Sequence, residues 1–195
     1  MNRLPVLLKI LFSCGSLLLV FYHGVSQKFN FINYGIEDGL VQSQVNNIGE
    51  DQQGRLWMST LGGISCFDGT RFTNYNYTDG LLHSSINKVM VDHKNQVWII
   101  ASGIIQKYDH RVFRDYSYDH DTIRFTARDV VETKDHQLYF ISQRRSLLHY
   151  DANADRIENA DPPPGLITGM VSDSNNLFAF CKDAGLYKYN QNTKW

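Results

Sequence analysis

The stretch Asp51-Gln52-Gln53-Gly54-Arg55-Leu56-Trp57-Met58-Ser59-Thr60 decides the fold, because forty-one residues later the chain says nearly the same thing as Asp92-His93-Lys94-Asn95-Gln96-Val97-Trp98-Ile99-Ile100-Ala101. A polar Asp/Asn/Gly turn followed by apolar and aromatic residues of high β-propensity reads as a tight hairpin turn entering a buried strand. Its recurrence makes this a repeat protein, whose architecture follows from the period.

Working outward, the first two repeats superpose without a gap. Tyr34 falls on Tyr75, Asp38-Gly39-Leu40 on Asp79-Gly80-Leu81, Val45-Asn46 on Ile86-Asn87, Phe67-Asp68 on Tyr108-Asp109 and Phe72 on Phe113, every pair 41 apart. The third copy is weaker: Val130, Gln137 and Tyr139 keep the offset, and one residue is added before Leu147 and Tyr150-Asp151. The fourth is shorter, and places Phe178 opposite Tyr139 at an offset of 39. The repeats therefore run approximately over residues 35–75, 76–116, 117–158 and 159–195, with Pro162-Pro163-Pro164 as a stiff connector before the last.

Within a repeat, four strands are expected, around Val45-Ile48, Leu56-Thr60, Ile64-Phe67 and Phe72-Tyr75, with Asp68-Gly69 turning between the last two. Four short antiparallel strands in about 41 residues give an all-β fold built of β-propeller blades, each hiding an aromatic-rich face against the next. Phe31-Ile32-Asn33-Tyr34 matches Phe72-Thr73-Asn74-Tyr75 at the same offset, and is expected to be a closure strand that completes a final blade and removes a sheet edge.

Residues 1–26 carry Arg3 and Lys9, an apolar run from Ile10 to Tyr22, and the small residues Gly24 and Ser26, the pattern of a Sec signal peptide cut before Gln27. The run is shorter than the ~20 residues of a spanning helix. Export to the periplasm or another extracytoplasmic space follows from that reading, with residues 27–195 forming a partial propeller.

Composition narrows the function. A formal net charge of −1 gives no electrostatic sign of a nucleic-acid partner. Of three cysteines, Cys14 lies in the leader, and Cys66 and Cys181 read as small buried apolar residues. The seven histidines show no His-x-x-His or His-x-x-x-His spacing, so neither a metal site nor a cofactor is expected. Nucleophile-elbow, phosphate-loop and kinase signatures are missing.

Trp57 and Trp98, with Tyr139 and Phe178 at the same place, sit inside apolar strands at the repeat period and read as core wedges rather than sugar platforms. Asp51, Asp92 and Asp135 read as turn carboxylates that cap nearby backbone amides. Arg144-Arg145 is the one irregularity with a functional flavour, since two cations replace a small-residue step in a loop that propellers place on one face. The alternatives are a ligand contact and a solvated loop paired with Asp151 or Asp155.

The unit Asp-Gly-Leu-x-x-Ser-x-Val/Ile-Asn, then Asp-x-x-Gly/Asn-x-Leu/Val-Trp, then Phe/Tyr-Asp resembles the two-component regulator propeller repeat. The third copy departs from it, with Thr133 for Asp, Tyr139 for Trp and Gln143-Arg144-Arg145-Ser146 for the Gly-Gly step. The resemblance implies a seven-bladed propeller in the periplasmic part of a hybrid histidine kinase that senses polysaccharide fragments. It further implies an oligosaccharide ligand, remaining blades and a kinase module in a longer chain, and a homodimeric receptor.

On this reading the chain is a non-catalytic sensor propeller. The competing class is a secreted propeller enzyme, a glycosidase or lyase, which requires inward-pointing acid/base residues that break the repeat. Four repeats ending at Trp195, opposite Phe72 and Phe113, suggest an incomplete ring with an open aromatic face.

Overall fold

The computed structural model describes residues 31–119, 122–173 and 176–189. The chain divides into two units, Met1–Asn33 and Tyr34–Trp195. Only residues 31–33 of the first are described, so the expected leader and its cut lie outside the described residues, as does Trp195.

In the second unit the strands form sheets strictly in sequence order. Blade one comprises β1 (Val45–Glu50), β2 (Leu56–Thr60), β3 (Ile64–Phe67) and β4 (Phe72–Tyr75). Blade two comprises β5 (Ile86–Val91), β6 (Val97–Ala101), β7 (Ile104–Tyr108) and β8 (Phe113–Asp115). A small hairpin, β9 (Tyr118–Asp119) and β10 (Thr122–Ile123), leads into blade three: β11 (Ala127–Glu132), β12 (Leu138–Ser142), β13 (Leu147–Asp151) and β14 (Arg156–Asn159). Blade four shows β15 (Leu166–Ser172), β16 (Leu177–Lys182) and β17 (Gly185–Tyr189) among the described residues. All pairings are antiparallel, and β1, β5, β11 and β15 approach one another in turn as the inner strands. The fold is all-β, made of propeller blades.

The turn between the first two strands of a blade explains the repeat. Asp51 Oδ1 accepts hydrogen bonds from the amides of Gln53 (3.0 Å) and Arg55 (2.9 Å), while its Oδ2 accepts one from Trp57 Nε1 at 2.8 Å. Asp92 does the same with Lys94 (2.9 Å), Gln96 (2.8 Å) and Trp98 Nε1 (2.8 Å). One carboxylate thus shapes the hairpin and seats the indole. Burial works to raise the Asp51 pKa, but the donors from Trp57 and Arg55 outweigh it and hold the group below its ordinary value. The same turn needs a left-handed residue, supplied by Gly54 (φ 76°), Asn95 (φ 62°) and His136 (φ 64°) in successive blades.

In blade three the expected role of Asp135 is corrected. Thr133 occupies the capping position: its Oγ1 accepts from the Gln137 amide at 3.1 Å and donates to Asp135 Oδ1 at 2.6 Å, so Asp135 serves the cap rather than being it. A threonine has no second oxygen for an indole, and Tyr139 replaces tryptophan.

Three apolar cores lie between consecutive blades. Trp57, Ile64 and Cys66 of blade one pack on Val89, Val97, Ile99 and Tyr108 of blade two. Trp98, Ile100 and Ile105 face Val130, Leu138, Phe140 and Tyr150 of blade three. Tyr139, Ile141 and Leu147 face Met170, Leu177 and Cys181 of blade four. Trp57, Trp98 and Tyr139 are buried, whereas Phe178 is half-buried because no described blade covers that side of blade four. Cys66 and Cys181 are free, buried thiols in different cores, and burial pushes Cys66 up to about 11.

Phe31–Tyr34 is not a strand. Tyr34 instead packs on Phe67 (4.8 Å between centroids) and Phe72 (6.0 Å), as Tyr75 packs on Tyr108 (5.2 Å) and Phe113 (5.9 Å). It holds the place of the tyrosine that ends an outer strand, but strand geometry needs a hydrogen-bonded partner, and no described segment pairs with it.

Both ends of the row of blades present apolar side chains: Ile48 on blade one is 55% exposed, and Val171, Phe180 and Leu186 on blade four are 48%, 46% and 58% exposed. These faces correspond to ones buried between the inner blades.

Two outcomes follow. Trp57→Ala or Trp98→Ala will cost roughly 3–5 kcal/mol in denaturant unfolding, and Asp51→Asn, which turns an amide donor toward Trp57 Nε1, about 1–3 kcal/mol; unchanged midpoints would refute the indole–carboxylate account. The open faces favour association, so light scattering on the purified chain should report species larger than the monomer. A monodisperse monomer would show both faces to be covered.

Candidate functional site

Surface depressions lie at the junction of blades two and three. Two adjoining hollows of about 610 and 600 Å³ share Arg124, Phe125 and Asn159. The first extends along β8 and β14 past Tyr118 and Asp155, and the second reaches the β12–β13 turn at Arg144.

The backbone cause is the connection between the blades. In blades one and two the incoming connection is a 3-10 turn, Ile36–Asp38 or Tyr77–Asp79, closed by a left-handed glycine and a buried leucine, Leu40 or Leu81. Side chains of the third strand pin it: Ser65 Oγ accepts from the Val41 amide at 3.0 Å, and Gln106 Oε1 from the Leu82 amide at 2.9 Å. Leu148 stands at that place in blade three, and the connection becomes the β9–β10 hairpin, anchored by Ser117. The Ser117 carbonyl accepts from the amides of Arg124 (2.8 Å) and Phe125 (3.1 Å), and its hydroxyl from the Ile105 amide at 2.7 Å. The hairpin leaves Tyr118 exposed, and the Arg124 guanidinium lies 5.3 Å from the Phe125 ring centre.

The floor between the blades is a caged ammonium. Lys107 takes the place of Cys66, pairing across to Trp98 as Cys66 does to Trp57. Its Nζ lies 5.3 Å from the centre of a Trp98 ring, 4.8 Å from Tyr116 and 4.9 Å from Tyr150, with hydrogen bonds to Tyr150 Oη (2.9 Å) and Asp155 Oδ1 (3.1 Å). The hydroxyls of Tyr116 and Tyr150 donate to the same Asp155 oxygen at 2.7 and 2.5 Å, and Arg114 Nη1 reaches Oδ2 at 3.6 Å. Burial opposes ionisation of Asp155, but those hydroxyls and the ammonium prevail and push it down to about 2. Burial, then the bond to Asp155, raises both tyrosines. A carboxylate so saturated holds the blades together, aided by cation–π attraction.

Arg144 is exposed in the β12–β13 turn and lines the second hollow. Arg145 is half-buried with φ 62°, and its carbonyl accepts from the Ile167 amide at 3.1 Å, so its backbone docks blade four. The structure pairs neither with Asp151 or Asp155: Asp151 caps the amides of Asn153 (2.9 Å) and Ala154 (3.2 Å), and Asp155 serves Lys107. Sequence reasoning missed Lys107 and Tyr118; a lysine at a repeat position held by cysteine was the available signal.

The blade geometry, the 41-residue period and the carboxylate–indole turn define a β-propeller of short repeats. Residues 39–62 match the family described as two component regulator propeller, so blade one carries a repeat of that family. The chain is similar in fold to the extracellular domain of a hybrid two component system from B. thetaiotaomicron (TM-score 0.67, 21% identity, covering 83% of this chain and 25% of that one). A second such domain from the same organism gives a TM-score of 0.63 at 18% identity, over 78% and 22% of the two chains. Virginiamycin B lyase from Staphylococcus aureus gives 0.56 at 12% identity, over 76% and 56%. At these identities the likeness is one of fold, and the chain spans about a quarter of the length of the two extracellular domains. No curated protein matches the sequence.

The floor yields a test in acid. Asp155 moves from an ordinary 3.8 to about 2 on folding, so its stabilisation is present above about pH 4 and lost as pH falls toward 2. The thermal midpoint of Asp155→Asn should therefore fall less steeply between pH 4 and 2 than that of the parent, as read by circular dichroism; equal slopes would remove Asp155 from the acid response.

Proposed function

We propose that the chain is part of an extracytoplasmic, ligand-reading propeller of a two-component signalling system, acting by binding rather than catalysis. The match of residues 39–62 to the two-component regulator propeller carries this reading, and the fold likeness to extracellular domains of hybrid two component systems supports it. A full receptor on this reading adds further blades, a membrane anchor and a histidine kinase, and delivers the chain by the leader in residues 1–26.

The groove between blades two and three is the proposed site, and an oligosaccharide the proposed ligand. Tyr118 and Phe125 offer ring faces to sugar C–H surfaces, and Arg124 and Arg144 offer guanidinium donors for hydroxyl or carboxylate oxygens. Of the three carboxylates that line the first hollow, Asp155 is committed to Lys107, Tyr116 and Tyr150, Asp115 accepts from the Ser117 amide at 2.9 Å and Glu158 lies 3.5 Å from Arg156, which supports recognition over acid/base chemistry.

A panel of neutral and uronate-containing oligosaccharides, titrated calorimetrically with products followed by reducing-end analysis, tests the reading. Binding without cleavage is expected, and the double variant Tyr118→Ala/Arg144→Ala should weaken it about tenfold, the equivalent of ~1.4 kcal/mol. Released reducing ends would establish the enzyme class instead, and a variant that binds as well as the parent would move the site elsewhere.

A further inference from the structure

Apart from the groove, the inner hairpins gather donor atoms from two blades. The hairpins of blades one and two are stitched by amides: the Gln52 amide donates to Asn95 Oδ1 at 2.9 Å, Gln52 Nε2 to the His93 carbonyl at 2.7 Å, and Asn95 Nδ2 to Gln53 Oε1 at 2.8 Å. One blade further on, the residues at the places of Gln52 and Asn95 are His93 and His136. The His93 amide donates to both oxygens of Glu132 (3.2 and 3.1 Å), its Nδ1 lies 2.5 Å from Glu132 Oε1, and His136 Nδ1 lies 3.6 Å from that same oxygen. The two imidazoles stack with centroids 3.9 Å apart and 22° between planes.

We propose that His93, Glu132 and His136 form a site for a borderline divalent cation of the zinc type, clasping the inner hairpins of blades two and three. One ligand atom from each residue lies within 4.8 Å of the others. Tetrahedral zinc with bonds of about 2.0–2.1 Å needs donors about 3.3 Å apart, a change within small torsional adjustment of side chains of which His136 is exposed and His93 partly so. Two imidazoles and a carboxylate suit zinc, copper or nickel and not the all-oxygen preference of calcium or magnesium. The conformation of His136 sets the position of its ring. The repeat demands φ near +60° there and fills it with Gly54 and Asn95, so a histidine accepts a sparsely populated backbone region and places its ring beside His93. Spacing rules that search for ligands three or four residues apart miss it, because these come from turns of neighbouring blades, His93 and His136 being one 41-residue repeat plus two apart.

The test uses the whole chain, stripped with chelator and titrated with zinc chloride near neutral pH, with calcium chloride as control. The expected result is one zinc per chain and a raised thermal midpoint, with no response to calcium. The neighbouring turns supply fold-preserving variants: His93→Gln copies Gln52 and His136→Asn copies Asn95. Each should weaken zinc binding at least tenfold with the midpoint of the metal-free protein maintained, and should abolish the tetrahedral visible absorption of the cobalt-substituted parent. Absence of a stoichiometric site, or zinc binding undiminished in both variants, would overturn the proposal.

Discussion

The carboxylate of Asp51 does two jobs that the rest of a blade depends on: one oxygen closes the hairpin between inner strands, and the other receives the indole that fills the next interface. Local turn chemistry and long-range packing are thereby tied to a single side chain, and Asp92 repeats the arrangement with near-identical distances. A buried carboxylate is tolerable only with every lone pair occupied, and among the described residues no buried side-chain nitrogen or oxygen lacks a partner. Where the aspartate becomes Thr133, the indole becomes a phenol, and Tyr139 finds its polar partner in Tyr189 of the next blade.

The backbone frame is constant while the middle of each interface changes. Cys66, Lys107 and His149 occupy one repeat position, set against Trp57, Trp98 and Tyr139 on the neighbouring strand. The first interface is sealed by an apolar thiol. The second encloses a cation with its own counter-ion, and the third sets His149 Nε2 2.9 Å from Gln137 Oε1. Lys107 leaves its charge in place of apolar volume, which demands Asp155 and two tyrosine hydroxyls. The turn after β13, which holds Asp155 at φ 48°, supplies that carboxylate.

Most of the blade was legible because its determinants are local and periodic: Trp57 with Trp98, Asp51 with Asp92, and the glycine turns between strands declare themselves at one offset. The reading failed where a residue's role depends on its neighbour in space. Phe31–Tyr34 has the composition of an outer strand and is not one. Asp135 looks like a cap until Thr133 is seen to hold that place. The groove was half legible, since Arg144 stands out in sequence, whereas Lys107 looks like any surface lysine until its strand is placed between two sheets.

The row of three separate cores has a consequence for how the molecule holds together. Among the described residues no core spans more than two blades, so their cohesion is a chain of nearest-neighbour couplings, as in other stacked repeats. Among the described residues, blades two and three have partners on both sides, while one and four each show a single interface. Opening will therefore begin at the flanks and travel inward. The junction of blades two and three, where Lys107 is enclosed and the grooves meet, is the last part of the chain to give way.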